Sequence, residues 1–266
     1  MRIILSIFVV LLCACASTSS LNPSTFSYQI NREAIAEANI KKIVVANSSL
    51  GAPVRKYLQL PERRVRKAVV EYLEDNGFEV VPSYEFENAW KQAIRNFGNP
   101  YNPTTGSINS QTWQAVLSDT LISLRDRTDI DAVVFADIIE HDVIHNIGLQ
   151  HLARWYGVDR EPATEGSGNG VPIDFDWNQK LKAASLVVHV FGVKPEQLFS
   201  SRGGLDTLEA INLRTQTSVP SFIRRKKILQ RDDYIEHGIE LAFHPFIVMD
   251  NYPGPEVTAN AAETPE

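Results

Sequence analysis

Two thiols, six imidazoles and three closely spaced carboxylate pairs are the groups of this 266-residue chain whose types and spacing could do chemistry. The imidazoles gather once, as Glu140-His141 with His145 and His151. His-x-x-x-His holds a metal when a helix turns both rings to one side, and a zinc hydrolase also needs Glu directly after the first His. Here Glu precedes it, and the segment reads as a strand. Residues four apart on a strand share a face but stand ~13 Å apart, too far for one ion. No metal is therefore expected. His189, inside an apolar run, reads as a hydrogen-bonded core residue. Asp129/Asp131, Asp174/Asp176 and Asp232/Asp233 read as loop and cap residues. Glycosidic chemistry would need two carboxylates ~5–10 Å apart across a cleft. Asp174-Phe175-Asp176 lacks the glycine and distal Glu of a calcium loop. Ser167 lies between two glycines, but Glu165 stands where a nucleophile elbow needs glycine. No phosphate-binding or dinucleotide glycine pattern occurs, so no cofactor is expected.

The thiols are Cys13 and Cys15, and both lie in the first 15 residues. Arg2 supplies a positive start, and residues 3–12 are apolar except for Ser6. This is the charged and apolar order of a secretory signal. It is too short to span a bilayer, which takes ~20 apolar residues. The run Leu12-Cys13-Ala14-Cys15 resembles the lipobox of bacterial lipoproteins: a large aliphatic residue three before the cysteine and a small one directly before it. Cys13 in the middle position departs from the pattern. The resemblance implies cleavage after a 1–14 signal peptide and acylation of Cys15, which anchors the chain to a membrane. Cleavage would remove one thiol and acylation would block the other, which excludes both a disulfide and a catalytic cysteine. Ala16, in place of Asp after the cysteine, implies the periplasmic face of the outer membrane.

Lys and Arg number 26 against 32 Asp and Glu, a net charge of −6 that argues against a nucleic-acid partner. The single basic run, Arg224-Arg225-Lys226-Lys227, reads as a solvated face or a first helical turn. Its sharper reading is a contact with anionic headgroups or cell-wall polymer. Apolar residues at 44% and charged residues at 22% suit a folded body.

The elements that must position these groups follow from apolar periodicity. Residues 15–38 read as the lipidated cysteine and a flexible tether, 39–250 as one domain and 251–266 as a disordered tail. A buried strand is expected at 40–46, a helix at 61–76 opened by Pro61 and closed by Gly77, and a strand at 78–81. Together they make a βαβ unit. Helices are expected at 84–97 and 110–127, the second capped by Ser110. A long strand with one wet face follows at 132–147. The segment 157–172 reads as the loop of a long hairpin, flanked by strands near 151–156 and 173–177. Trp155, Tyr156 and Trp177 flank it as half-buried sheet residues or as a partner-contact patch, with Arg224 and Arg225 as further contact candidates. Strands at 183–193, 197–201 and 208–213 and a helix at 228–243 complete the chain, with Gly203-Gly204 as a turn or bulge. The expected fold class is α/β (α+β): a mixed sheet with a βαβ start, an antiparallel meander and helices packed on it.

In outline, 40–245 resembles a group of outer-membrane lipoproteins, the curli-secretion lipoprotein CsgG, the penicillin-binding-protein activator LpoB and the exopolysaccharide protein PelC, together with the amino-terminal domain of TolB. The matching residues are Lys42-Ile43-Val44-Val45, Gly77-Phe78-Glu79-Val80-Val81-Pro82, Ile130-Asp131-Ala132-Val133-Val134 with Ala and Asp exchanged in order, the strand 184–193 and the closing helix 238–245. The 157–172 loop is longer than in that group, and no segment resembles the membrane-spanning hairpins of the curli pore. The resemblance implies a non-catalytic scaffold or assembly factor whose partners are envelope proteins or its own copies. The rival expectations are a periplasmic hydrolase of cell-wall or polysaccharide material, using carboxylates near 157–172, and a small-ligand binder on the sheet face.

Overall fold

The computed structural model describes residues 28–46, 56–102, 104–168, 170–213 and 221–254. Cys15, the 1–14 signal segment and the tail from 255 lie outside the described residues. So does most of the expected tether. Its last part folds: Gln29–Ile30 is a strand (β1) and Arg32–Ala38 a helix (α1). A two-residue strand and a helix with no buried residue leave no apolar period to read. Their order comes from polar bonds instead. The Asn31 backbone N–H donates to the Leu198 carbonyl at 2.8 Å, and its side chain accepts from the Ala34 N–H at 3.0 Å.

The βαβ start is as expected. Lys42–Val45 (β2), Gln59–Asp75 (α2) and Glu79–Val81 (β3) form it, and the two strands pair in parallel. Ile43, Val44 and Val45 are all buried because both faces of β2 are covered. Pro61, Val65, Val69 and Leu73 recur every four residues and make the inner stripe of α2. Ser83–Phe97 (α3) and Ser110–Thr128 (α4) pack on the opposite face with Phe86, Trp90, Leu117 and Leu121. The cap of α4 is Asn109, one residue before the expected Ser110, and it accepts from the Thr112 N–H at 3.0 Å.

Ala132–Ile147 (β4) then runs parallel to β2 and well past its end. Its first five residues are buried; from Asp137 burial alternates. Leu152–Trp155 (β5) and Val158–Arg160 (β6) form a short hairpin, and Thr164–Glu165 (β7) follows. Lys180–Gly192 (β8) and Gln197–Thr207 (β9) complete a large sheet in the order β1-β9-β8-β4-β2-β3, with β5 also on β4 and β6 on β5. β4 and β8 pair antiparallel from Ala132↔Gly192 to Ile144↔Lys180, a ribbon about 40 Å long. Glu209–Asn212 (β10) and Phe222–Arg224 (β11) join β7 in a second, three-stranded sheet. Asp232–Phe243 (α5) lies on β9 beside α2.

Four expectations change. Residues 157–172 are not a free hairpin tip: β6 extends the large sheet and β7 pairs in parallel with β10, both through backbone bonds invisible to side-chain pattern. No strand forms at 173–177. The basic run is not a helical turn, since α5 begins only at Asp232. Tyr252, in the expected disordered tail, is packed instead, stacked on His244 at 3.9 Å.

Candidate functional site

The far end of the β4–β8–β9 ribbon gathers the polar and aromatic groups that the fold itself does not consume. Side chains alternate across a strand, so Asp137, Ile139, His141, Val143 and His145 share the face of Val133 and Phe135. Helices α3 and α4 cover that face over Phe135, where Trp113 and Phe191 meet its ring. At the other end, the β5–β6 hairpin folds over it. Tyr156 and Gly157 make the hairpin turn with φ of 39° and 85°. The turn is then tied down by the Gly204 N–H, which donates to the Tyr156 carbonyl at 2.9 Å. Beneath it Trp155, Val158, Val143, Ala153, Leu181 and Leu241 form a small apolar cluster.

Three side chains cross from sheet to hairpin in this cluster. Ser185 is fully buried, and its Oγ lies 2.7 Å from His141 Nε2 and 3.1 Å from Trp155 Nε1. An indole N–H only donates, so Trp155 donates to Ser185. The rings of His141 and Tyr156 stand 5.2 Å apart, and Arg202 Nη1 donates to the Tyr156 hydroxyl at 3.3 Å. Burial holds the His141 pKa below its usual value; the charges of Arg202 and Lys182 press the same way, against Asp142. Serine beside histidine is a nucleophile–base arrangement. Here the hydroxyl is wholly covered and is spent on Trp155.

Buried charge holds the hairpin on its other side. The Arg160 guanidinium is buried, donates from Nε to the Leu205 carbonyl at 2.7 Å and lies 3.7 Å above the Tyr234 ring of α5. Asp206 is buried as well. It pairs with Arg225 Nη1 at 2.8 Å, and that same nitrogen donates to the Thr207 carbonyl at 2.7 Å. His145 is also buried: its Nδ1 lies 3.0 Å from the His151 carbonyl oxygen, and burial lowers its pKa to about 4.

At the ribbon tip, Leu149 and Ile173 are fully exposed. Behind them stands a stack of rings. His151 lies flat on Trp177 at 3.8 Å, Trp177 meets Phe175 edge-on at 5.0 Å, and Phe175 meets Phe222 at 5.2 Å. His151 and Phe175 of this stack are each two residues along the chain from Leu149 and Ile173.

The structure divides the residues singled out from sequence. Trp177 belongs to the tip. Trp155 does not: it is buried beneath the hairpin, so it offers no contact surface. Tyr156 is half-buried at the hairpin turn. Arg224 is exposed, with its guanidinium 4.4 Å above the Tyr57 ring and 3.5 Å from Glu140, while Tyr57 donates its hydroxyl to Glu140. Arg225 points inward to Asp206 and is removed from the contact set. Of the carboxylate pairs only Asp174 and Asp176 lie in the tip segment. Asp131 accepts from the Lys41 and Lys42 N–H groups at 2.8 Å each, Asp129 ends α4 in a left-handed conformation, and Asp176 accepts from the Asn178 N–H at 2.9 Å. His189 is half-buried and hydrogen-bonds the Gln197 side chain, while its Nδ1 has no hydrogen-bond partner. Among the described residues no group of three or more His, Cys, Asp or Glu is placed to hold a metal ion. A depression of about 400 Å³ at the 99–109 loop is lined by Asn99, Asn102, Ser107 and Asn109 and carries no carboxylate. Sequence reading missed Leu149, Ile173, Ser185 and Asp206; single apolar or polar residues in turns and strands carry no pattern.

No family model matches the chain, and no curated protein does. Among solved structures it is similar to the lipoprotein GNA1162 from Neisseria meningitidis, with 13% identity over 62% of this chain and 81% of that one and a TM-score of 0.29. This likeness does not confirm the CsgG, LpoB, PelC and TolB group. Among the described residues, no helix is long and apolar enough to cross a membrane.

Proposed function

We propose that the protein is a lipid-anchored envelope lipoprotein, held at the periplasmic face of the outer membrane through Cys15, whose folded body serves as a scaffold or assembly factor for envelope proteins. The observation that carries the partner half of this reading is the tip. Contiguous exposed apolar surface marks recognition sites, and Leu149 and Ile173, the most exposed large hydrophobic side chains among the described residues, are what the tip offers. The anchor half rests on the Leu12-Cys13-Ala14-Cys15 run. The two fit one geometry. Strand β1, where the described chain starts, pairs with Phe199 and Ser200, and Ser200 is opposite His189. The tip precedes Lys180, so about 30 Å of ribbon separates the point where the N-terminal segment joins the body from the contact surface. Work at the tip by binding alone makes the protein non-catalytic in this reading.

The test of the anchor is Cys15→Ser in cells fed a labelled fatty acid. The native chain is expected to incorporate label and to fractionate with the outer membrane, and the variant to do neither. Equal labelling of both would overturn it, because multiple acyl chains at one cysteine are what make such an anchor stable.

A further inference from the structure

We infer that His141, Ser185 and Trp155 form a protonation-sensitive latch that holds the β5–β6 hairpin against the sheet and releases it when His141 takes up a proton. Trp155 Nε1 donates to Ser185 Oγ across 3.1 Å. Ser185 is fully buried, and its hydroxyl has a single proton, which goes to His141 Nε2 at 2.7 Å. In this assignment the imidazole is neutral with its proton on Nδ1, the tautomer that leaves Nε2 an acceptor. Protonation turns Nε2 into a donor. The two lone pairs of Ser185 Oγ can accept from both Trp155 and the new Nε2–H, but the Ser185 proton then loses its acceptor inside a dry cluster, a costly arrangement.

The groups around His141 set the direction of the response. Arg202 from β9 and Lys182 from β8 oppose a second positive charge, while Asp142, next in β4, favours it and is itself paired with Lys182 at 2.6 Å. Tyr156 of the hairpin packs on the ring. Apart from the Trp155–Ser185 bond, β5 meets β4 across an irregular register, and the hairpin is fastened to β9 by the Gly204–Tyr156 bond and the buried Arg160. Loss of the central bond loosens the segment that carries Tyr156 and covers Ser185. This inference is independent of the anchor and of the tip.

The test uses the full chain in detergent micelles with its tryptophans labelled at the indole nitrogen. Four tryptophans give four N–H signals, and the Trp155 signal is the one lost in Trp155→Phe. Between pH 7.5 and 5 the Trp155 signal should titrate while those of Trp90 and Trp113 stay in place. Amide exchange in 153–160, corrected for the intrinsic pH dependence, should rise at least tenfold while α2 stays protected. His141→Gln, which cannot take up the proton, should abolish both responses. Arg202→Gln, which leaves the relay intact and removes a facing cation, should move the midpoint to higher pH. A response that persists in His141→Gln, a midpoint unmoved by Arg202→Gln, or a hairpin that opens only with the whole fold would each overturn the latch.

Discussion

Asp206 illustrates how one buried residue is held by its surroundings. Its carboxylate is buried and faces Arg225, with Arg160 nearby. Removing one partner of a buried pair leaves an uncompensated charge, which costs about 3–5 kcal/mol. Asp206→Ala should therefore lower the urea midpoint by roughly that free energy, whereas Asp142→Ala, at an exposed pair, should change it by less than about 1 kcal/mol. Histidines supply the pH dependence. His141, His145, His189, His237 and His244 are all held below their usual pKa, chiefly by burial. The unfolded chain then binds more protons than the native one, so stability falls with pH from about 6.5 downward and levels off near 4, the value for His145. His145 alone contributes on the order of 3 kcal/mol to that loss. Urea titrations at pH 7.5 and 4.5 measure it, and His145→Gln should reduce the difference by about the His145 share. At this scale the sequence is nearly silent: Ser185 and Asp206 sit in strands among many similar residues, and only the paired strands reveal what each faces.

Elements with a strong apolar period were legible. The βαβ start, the long wet-faced strand at 132–147 and the α3–α4 pair follow from stripes such as Val65, Val69 and Leu73 or Val116, Leu117, Leu121 and Leu124. Elements held by backbone bonds were not. β1 pairs through two residues, and β7 through two more. The glycines of β9 show a third kind of signal. Gly203-Gly204 reads as a turn or bulge from sequence, and a register shift does follow between Gly204 and Thr207. The pair itself lies flat in the strand, where α5 comes close enough that a Cβ on Gly203 would meet the Gly238 carbonyl oxygen. Close backbone approach is another use of glycine in strands. Gly203→Ala should push α5 off β9 and cost about 1–3 kcal/mol in urea unfolding, the usual range for overpacking.

Across the whole molecule, the sheet separates duties. One half, β3-β2-β4, is covered on both faces by α2, α3 and α4 and acts as a conventional core. The other half reaches beyond it as a ribbon with an aliphatic tip. The α/β class and the mixed sheet were readable because hydrophobic burial dictates them. The tip was not readable: Leu149 and Ile173 are ordinary apolar residues until their exposure is known. In the proposed account, the N-terminal lipid fixes the body to its membrane and the tip engages an envelope protein. The most direct measurement is photo-crosslinking in cells, with the reactive group placed at 149, at 173 and, as a control, at the half-exposed Ile122 of α4. The account predicts one adduct of the same mass from 149 and from 173, none from 122, and loss of the 149 adduct in Ile173→Asp with the fold unchanged by circular dichroism. Adducts no stronger at 149 and 173 than at 122, or a 149 adduct indifferent to Ile173→Asp, would contradict it.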